Sequence, residues 1–355
     1  MLPISVCIIA KNEEENIQTC LKSLEPYHFE IVVVDTGSTD RTKLIARRYT
    51  KHIYDFEWIG DFSAARNFSI SKASNDWIFI IDCDETIIDF NVEEVTKLLE
   101  DHPTSLGSII RIDQLTSDSN EVSQNCFELE RIIHRKYYHY EGIIHENAVP
   151  IDPETTPFAS IQVPVALHHL GYDTDEETRI KKQERNILLL EKSLETDPNN
   201  IYHQFQLGRS YAAIAKWDAA LEHYDIALSL NPPTTLIYSK LLHVDYAEVL
   251  DLLGRTSEAI QFLEAHHAAI DDYADTAYLL GFYYYKQNNF VNAILNFIRA
   301  LNCPVYSNMN YKTVASHYML GLTYEQMGNH KMANDFYKNC LDYRDAAKRI
   351  KNLTI

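Results

Sequence analysis

The chain has 355 residues, of which 46% are hydrophobic and 23% charged, and its formal net charge is −19. This composition is typical of a globular protein and excludes disordered, collagenous and coiled-coil chains. The longest apolar runs are far shorter than the roughly 20 residues that span a bilayer, and the N-terminus lacks a signal-peptide pattern, so a cytoplasmic location is predicted.

The negative charge is concentrated in residues 1–170, which hold 28 acidic and 14 basic side chains. Binding to nucleic acid or to an anionic membrane is therefore not expected, because neutralising phosphates needs a basic surface. The acidic half suits a divalent cation or a basic partner. The cysteines show no C-x-x-C pair, which argues against a zinc site and predicts buried free thiols; they are Cys7, Cys20, Cys83, Cys126, Cys303 and Cys340.

From Ile4 to about Ala166, short β-branched runs alternate with helical segments, a pattern that predicts a mostly parallel α/β sheet covered by helices. The predicted strands are Ile4–Ile9, Glu30–Val34, His52–Tyr54, Trp77–Ile81, Gly107–Ile112, Arg131–His134 and Ile161–Ala166. The predicted helices are Glu13–Ser23, Thr39–Tyr49, Asp61–Ser71 and Asn91–Leu99. A charged helix from about Asp175 to Glu195 follows and predicts a connector over residues 173–197.

Residues 198–355 carry the spacing of tetratricopeptide repeats, which form an all-α solenoid of paired helices. The first copy is anchored at Gly208, a degenerate copy includes Gly254, and two further copies are anchored at Gly281 and Gly321. The small and aromatic residues of these copies are expected to pack the helices. The groove of such an array typically holds a peptide or another protein.

Polar residues follow three of the predicted parallel strands, at the edge of the sheet where ligands bind. These segments are Ala10–Glu13, Asp35–Asp40 and Asp82–Glu85. Two carboxylates one residue apart, as in Asp82-Cys83-Asp84, can bring oxygens to a hard cation that bridges phosphates, although capping of a turn is the alternative. Asp35 is placed to accept hydrogen bonds from a nucleobase or ribose. No G-x-G-x-x-G or P-loop motif occurs.

In order along the chain, Ser5 to Glu13, Ile31 to Asp40, Ala65-Arg66-Asn67 and Trp77 to Glu85 resemble the family 2 glycosyltransferases of GT-A fold. The resemblance covers about residues 1–172 and predicts a GT-A domain there. The subgroup with C-terminal tetratricopeptide repeats, which includes bacterial enzymes that glycosylate peptides such as bacteriocins, resembles the whole chain. Cys83 departs from the alanine of many relatives and is expected to be structural.

The resemblance implies a role for each matching residue. Asp35 and Arg66 would hold the base of a nucleotide sugar, and Asp84 would bind Mn²⁺ or Mg²⁺, with Asp82 on the ribose or supporting the ion. The segments that would line the donor pocket contribute Ala10, Lys11, Glu13, Asp35, Arg66, Asp82 and Cys83.

Two later segments resemble the acceptor side and the end of the metal site. Glu146, in Tyr140 to Glu146, would be the catalytic base, while base catalysis by His145 and pairing of Glu146 with an arginine remain open. His169 is expected to complete the metal site rather than His168, because it has the H-x-G-Y spacing of the family; a histidine satisfied within the core is the alternative.

The resemblance therefore implies an inverting, metal-dependent glycosyltransferase with a UDP-sugar or other nucleotide-sugar donor. The acceptor is expected to be a peptide or protein side chain, linked through oxygen or sulfur, and held by the repeats. The repeats are also considered for homodimer formation. Two alternatives stay open: a lipid-linked or lipopolysaccharide sugar as acceptor, and a non-catalytic scaffold with a degenerate transferase domain.

Overall fold

The computed structural model describes residues 3–116, 122–169 and 176–353. The chain divides into two compact units, of which the first holds the described parts of 1–115 and 126–178 and the second those of 116–125 and 179–355. The predicted domain boundary at residue 172 and the Gly171-Tyr172 part of the histidine motif lie outside the described residues. Within the described ranges, no helix combines the length and hydropathy needed to cross a membrane.

The first unit is built on an eight-stranded sheet with the strand order β3-β2-β1-β4-β7-β6-β10-β5. A separate antiparallel pair, β8 and β9, forms a hairpin beside it. The strands are β1 (Ile4–Ala10), β2 (Glu30–Asp35), β3 (His52–Asp55), β4 (Trp77–Ile80), β5 (Glu85–Phe90), β6 (Leu106–Thr116), β7 (Val122–His134), β8 (Tyr138–Glu141), β9 (Asn147–Pro150) and β10 (Ser160–His169).

The central strands are buried on both faces, as the unbroken apolar runs of the sequence predict. Six of the seven residues of β1 are buried, and β4 is buried along its whole length. Continuous burial is typical of parallel strands covered by helices on both sides. The predicted mostly parallel α/β sheet is confirmed, whereas β5, β8 and β9 were not predicted because their residues do not form apolar runs.

Four helices accompany the sheet: α1 (Ile17–Leu24), α2 (Thr42–Ala46), α3 (Phe62–Lys72) and α4 (Val92–Asp101). Each lies within or beside a predicted helix. The Asp61 carboxylate accepts a hydrogen bond from the Ala64 backbone N–H and so caps α3, and Asn91 caps α4 through the Glu94 N–H. These side chains satisfy backbone donors that have no partner inside the helix.

Strand direction brings the predicted site segments to one edge. β1 is parallel to both β2 and β4, and Ala10 lies opposite Asp35 at the carboxyl ends of β1 and β2. The chain then turns after β4 into β5, which runs antiparallel to β10 with Glu85 opposite His169. The carboxyl ends of β1, β2, β4 and β10 therefore contribute to the same edge of the sheet.

The second unit begins in a long helix and continues as helix pairs. The long helix is α5 (Glu176–Thr196), which confirms the predicted helix from about Asp175 to Glu195, while its role as a connector stays a prediction. The others are α6 (Ile201–Ala213), α7 (Trp217–Ser229), α8 (Ile237–Leu252), α9 (Thr256–Ala265), α10 (His267–Ile270), α11 (Ala274–Lys286), α12 (Phe290–Asn302), α13 (Met309–Lys312), α14 (Val314–Gln326), α15 (His330–Tyr337) and α16 (Ala346–Leu353). The pairs α6/α7, α8/α9, α11/α12 and α14/α15 match the four predicted repeats.

Close packing of a glycine on an aromatic ring holds three of the four pairs together. A Cβ atom on Gly281 would lie 2.8 Å from Cδ1 of Phe297, and Cβ atoms on Gly208 and Gly321 would lie closer still to the rings of Tyr224 and Tyr337. Only a residue without a side chain fits there. The predicted packing role of these residues is confirmed.

The degenerate second repeat departs from this scheme. Gly254 has a φ of +76° in the turn between α8 and α9 and has no heavy atom near its would-be Cβ. It therefore allows the turn rather than the contact between the helices.

The prediction of free cysteines is confirmed, but Cys126 is exposed, whereas the other five are buried.

We expect Gly208→Ala to destabilise the repeat unit, because the added methyl group would overlap the ring of Tyr224. Overpacking of this kind costs about 1–3 kcal/mol, although alanine is intrinsically the better helix former. Glu222→Ala, at an exposed position of α7, is the control. Thermal unfolding followed by circular dichroism measures the effect; a stabilised Gly208→Ala protein would contradict the packing contact.

Candidate functional site

The turn between β4 and β5 carries the two acids predicted to face a cation. The Asp82 backbone N–H donates to Oε2 of Glu85 at 2.9 Å, and the Glu85 N–H donates to the Asp82 carbonyl at 3.1 Å, so the turn is closed from both sides. The thiol of Cys83 is buried and donates to the Ile9 carbonyl at 3.5 Å. Its side chain belongs to the core, as expected. The part of Cys83 that could contact a nucleotide-sugar donor is therefore its backbone.

Two arginines hold the Asp82 carboxylate. Arg66, on α3, donates from Nη2 to Oδ1 at 2.9 Å, and Arg131, on β7, donates from Nη2 to Oδ2 at 2.9 Å. Arg131 also donates to Oε1 of Glu85 at 3.0 Å. The side chain of Glu85 is fully buried and those of Arg66 and Arg131 are 7% and 12% exposed. Removing one partner would leave a buried charge uncompensated.

The pKa values reflect this arrangement. Burial opposes ionisation of Asp82, but Arg66 and Arg131 outweigh it and hold the pKa of its carboxyl well below the usual range. Burial raises the pKa of Glu85, and Arg131 offsets only part of that effect. Asp82 is thus held in its ionised form by two arginines, which it shares with Glu146 and Glu85. Of the two acids in the turn, Asp84 is the one left to bind a metal ion.

The β8–β9 hairpin is tied to α3 beside this network. The Asn67 side chain donates to the Tyr140 carbonyl at 2.8 Å and accepts from the Tyr140 N–H at 2.9 Å. The Phe62 N–H donates to the Ile143 carbonyl at 3.0 Å. Arg66 and Asn67 are neighbours in the sequence, and both of them bind the segment that carries the predicted base.

Glu146 is held by an arginine in this structure. Its Oε1 accepts a hydrogen bond from Nε of Arg66 at 2.6 Å, and its side chain is 10% exposed. The pairing with an arginine that the sequence left open is therefore observed, and its hydrogen bond goes to Oε1 rather than Oε2. His145 precedes it with a φ of +52°, in the left-handed region. The role of either residue as base stays a prediction.

Asp35 lies at the end of β2 and is 3% exposed. Its Oδ2 accepts hydrogen bonds from the backbone N–H groups of Gly37 and Ser38 at 3.2 and 3.0 Å. Its Oδ1 is buried and has no hydrogen-bond partner among the described residues. Buried carboxylate oxygens are normally satisfied, so this oxygen is available to a donor on a ligand.

The other residues of the first predicted segment differ in their surroundings. Ala10 is buried, and its carbonyl accepts from the Thr36 N–H at 2.9 Å, which joins the ends of β1 and β2. Lys11 is exposed at the same edge. Glu13 is tied to the start of α1: its N–H donates to Oγ1 of Thr42 at 2.7 Å, and its Oε2 accepts from Asn16 at 2.9 Å. Arg66, predicted to hold the base together with Asp35, binds Asp82 and Glu146 in this structure, and its contact with a base stays a prediction.

The histidine at the end of β10 lies between two carboxylates. Nε2 of His169 is 3.3 Å from Oδ2 of Asp84, and Nδ1 is 3.2 Å from Oδ1 of Asp113. Burial opposes its protonation, but the hydrogen bonds to Asp113 and Asp84 outweigh it and raise the pKa of His169 to about 9. Successive strand residues point to opposite faces, so His168 does not share this position. The structure therefore brings His169, and not His168, to Asp84.

The chemistry of these donors fits a hard divalent cation. Among the described residues, no group of three or more His, Cys, Asp or Glu side chains is arranged to hold a metal ion. Mg²⁺ and Mn²⁺ are commonly bound by one or two protein ligands together with substrate phosphates and water, and a carboxylate with an imidazole suits Mn²⁺. Asp84 and His169 would supply such a pair once the imidazole has lost a proton, because a histidine binds a metal in its neutral form, and Asp113 would orient the ring through Nδ1.

Sequence reasoning missed four charged residues of this site as partners: Glu85, Arg111, Asp113 and Arg131. Nε of Arg111 lies 2.9 Å from Oδ1 of Asp113, and Nη1 of Arg111 lies 3.8 Å from Oε1 of Glu85. Arg111 and Asp113 are two residues apart within β6 and hence lie on one face of the strand, which is the signal in the sequence. Their partners come from β5 and β10, so the pairing itself depends on strand order.

Residues 5–152 match the family model described as Glycosyl transferase family 2, and residues 314–346 match a tetratricopeptide repeat. A TPR repeat-containing protein of Synechococcus elongatus is 26% identical over 290 residues, which cover 79% of this chain and 69% of that protein. The glycosyltransferase SunS of the SPbeta prophage of Bacillus subtilis is 29% identical over 233 residues, 62% of this chain and 52% of SunS. The chain thus spans about half the length of SunS.

A glycosyltransferase of Rickettsia typhi, itself uncharacterized, is 33% identical over 102 residues, which cover 29% of this chain and 35% of that protein. Among solved structures, the crystal structure of MamA is similar to part of the chain, with 22% identity and a TM-score of 0.39, over 50% of this chain and 98% of MamA.

Proposed function

Because the chain is a glycosyltransferase whose residues 5–152 form a family 2 domain, with tetratricopeptide repeats behind it, we propose that it transfers a sugar from a nucleotide-sugar donor, a UDP-sugar, to a peptide or protein side chain. The observation that carries the donor class is the buried Oδ1 of Asp35, which has no hydrogen-bond partner within the described ranges. Transfer takes place with inversion of the anomeric centre. Catalysis depends on a divalent cation.

The donor lies along the edge formed by the ends of β1, β2 and β4. Oδ1 of Asp35 accepts a hydrogen bond from the imide N–H of uracil or from a ribose hydroxyl, which satisfies a buried carboxylate oxygen. Oδ2 is already fixed by Gly37 and Ser38, so the carboxylate is oriented before the ligand arrives. A preoriented acceptor costs little ordering entropy on binding.

Asp84 and His169 would hold the cation. It would supply electrostatic stabilisation of the departing nucleoside diphosphate. Arg66 and Arg131 keep Asp82 out of competition for the cation, since both of its oxygens already accept hydrogen bonds. Asp113 fixes the imidazole plane through Nδ1 and leaves Nε2 directed toward Asp84.

Glu146 takes the proton of the acceptor hydroxyl or thiol as the acceptor atom bonds to the anomeric carbon and the bond to the diphosphate breaks. Oε1 is fixed by Arg66 and Oε2 receives the proton. The hydrogen bonds of Asn67 to Tyr140 hold the hairpin on α3, so the carboxylate and the donor edge belong to one rigid arrangement. The repeats hold the polypeptide acceptor in their groove.

We expect Asp35→Asn to lower the affinity for UDP by about 10- to 100-fold, because a hydrogen bond to a charged group is worth about 1.5–3 kcal/mol. Asp55→Asn is the matched control, since Asp55 ends the neighbouring strand opposite Asp35 and is exposed. Titration calorimetry of UDP, GDP and dTDP in the presence of Mn²⁺ measures the effect. Absence of nucleotide binding by the wild type would refute the donor class, and equal binding by Asp35→Asn would move the donor elsewhere.

We expect Asp84→Asn and His169→Gln each to weaken Mn²⁺ binding by at least about tenfold, the usual effect of altering a metal site. Electron paramagnetic resonance of free Mn²⁺, with UDP present, measures binding without any turnover. Asp89→Asn, an exposed acid on β5, is the control for lost charge. Hydrolysis of a UDP-sugar that continues at full rate in EDTA would rule out metal dependence.

We expect Glu146→Gln to lower the rate of UDP-sugar hydrolysis by about 10²- to 10⁴-fold, the usual contribution of a general base. Water replaces the acceptor in this assay, and glutamine retains an oxygen for Arg66, so donor affinity should change little. Glu141→Gln, on the same hairpin and 65% exposed, is the control. A Glu146→Gln enzyme with normal turnover would assign the base to another group, with His145 tested next.

A further inference from the structure

A pocket in the repeat unit combines apolar walls with acidic side chains. It has a volume of about 190 Å³ and lies between α6 and α8, with α7 closing it. Its lining consists of Arg209, Ala212, Trp217, Tyr224, Asp245, Glu248, Val249 and Leu252. Two of these residues carry carboxylates and one carries a guanidinium, so the lining has an excess of one negative charge when all three are ionised.

The single guanidinium of the lining is already engaged. Nε of Arg209 lies 3.0 Å from Oδ2 of Asp245, whose side chain is 16% exposed. Arg209 also lies over the ring of Phe205, with 5.6 Å between its Cζ and the ring centroid. Asp245 is thus compensated inside the pocket, and the charge that remains belongs to Glu248.

Glu248 has no hydrogen bond or ion pair within the described part of the chain. Its nearest charged neighbours on α8 and α11 are mostly acidic. Burial, with Asp245 and Asp275 adding to it, raises the pKa of Glu248 to about 7. Asp251 is matched by Lys286, whose Nζ lies 2.6 Å from its Oδ1, and Asp275 accepts from the Ser307 and Asn308 N–H groups. Arg209, the cation of the pocket lining, offsets only part of this effect and is bound to Asp245, so no described residue forms an ion pair with Glu248.

We propose that this pocket binds the side chain of a lysine, with the ammonium group on Glu248 and the aliphatic stem against Trp217, Val249 and Leu252. The geometry supplies both parts of such a ligand: an apolar wall for the methylene groups and a carboxylate for the charge at the end. The lysine belongs to the polypeptide acceptor, and only this assignment of its source rests on the proposed function.

The charge pattern also argues against an anionic guest. A carboxylate or phosphate entering the pocket would have to take Arg209 from Asp245 and would leave two carboxylates next to it. Like charges so close together are mutually unfavourable in a partly buried site. A cation instead replaces the missing partner of Glu248 and leaves the Arg209–Asp245 pair intact.

The test uses a lysine analogue that needs no transfer reaction. The full chain is labelled with 5-fluorotryptophan, and the Trp217 signal is assigned with Trp217→Phe. Nα-acetyl-lysine methylamide is then titrated at millimolar concentrations, and the norleucine analogue, which has a methyl group in place of the aminomethyl group, is the matched ligand control. We expect a saturable shift of the Trp217 resonance with the lysine analogue and binding at least tenfold weaker with the norleucine analogue.

Two variants distinguish the proposal from its rivals. Glu248→Gln should weaken binding of the lysine analogue at least fivefold, whereas Glu258→Gln, an exposed glutamate outside the pocket, should have no effect. Arg209→Gln should tighten binding, because it releases Asp245 to the ammonium group. Equal binding of the norleucine analogue, unchanged binding by Glu248→Gln, or loss of binding by a folded Arg209→Gln protein would each overturn the proposal.

The experiment tests ligand binding in the pocket independently of the proposed transferase reaction. The titration contains no nucleotide or metal, so a chain that binds no donor can still show the lysine-dependent shift. Conversely, normal UDP-sugar hydrolysis without any shift at Trp217 would reject the pocket and leave the proposed reaction intact. Circular dichroism of each variant confirms that the helices are retained.

Discussion

The geometry of the candidate site, at the edge formed by the carboxyl ends of the strands, depends on the ion pairs of Arg66. One buried guanidinium binds Asp82, in the turn after β4, and Glu146, in the connection between β8 and β9. A guanidinium presents several donors in a fixed plane and can serve two carboxylates at once, which the single ammonium of lysine does less well. The donor side and the predicted base are therefore held at a set spacing by one side chain.

The same principle extends across the edge of the sheet as alternating charges. Each neighbouring pair in the series is in contact, from the predicted base to the predicted metal ligand: Glu146, Arg66, Asp82, Arg131, Glu85, Arg111, Asp113, His169 and Asp84. This series of ion pairs compensates buried charges, each of which would be costly if it had no partner. It also separates the two acids of the turn: both oxygens of Asp82 accept hydrogen bonds from arginines, whereas the contact of Asp84 within the described ranges is with Nε2 of His169.

The sequence reveals what depends on neighbours along the chain. Apolar runs predicted β1, β2 and β4, and a family resemblance singled out Glu146 and brought Asp84 and His169 together. It could not reveal that Arg66 would bind both Asp82 and Glu146, or that Arg131 completes the network. Those contacts join β4, β7 and α3, and they follow from strand order, which periodicity does not determine.

In the repeat unit, the residues that pack the helices can be distinguished from those that line the pocket. The contacts of Gly208 with Tyr224 and of Gly281 with Phe297 lie within single repeats, so the same spacing recurs in the sequence and was recognised. Arg209 and Glu248 occupy positions that this pattern leaves unconstrained, beside the packing residues rather than among them. The repeats can therefore change the charge of the pocket without altering the helix pairs. Within the described residues, the carboxylate of Glu248, which has no ion-pair partner, therefore occupies a position that the packing of the solenoid does not fix.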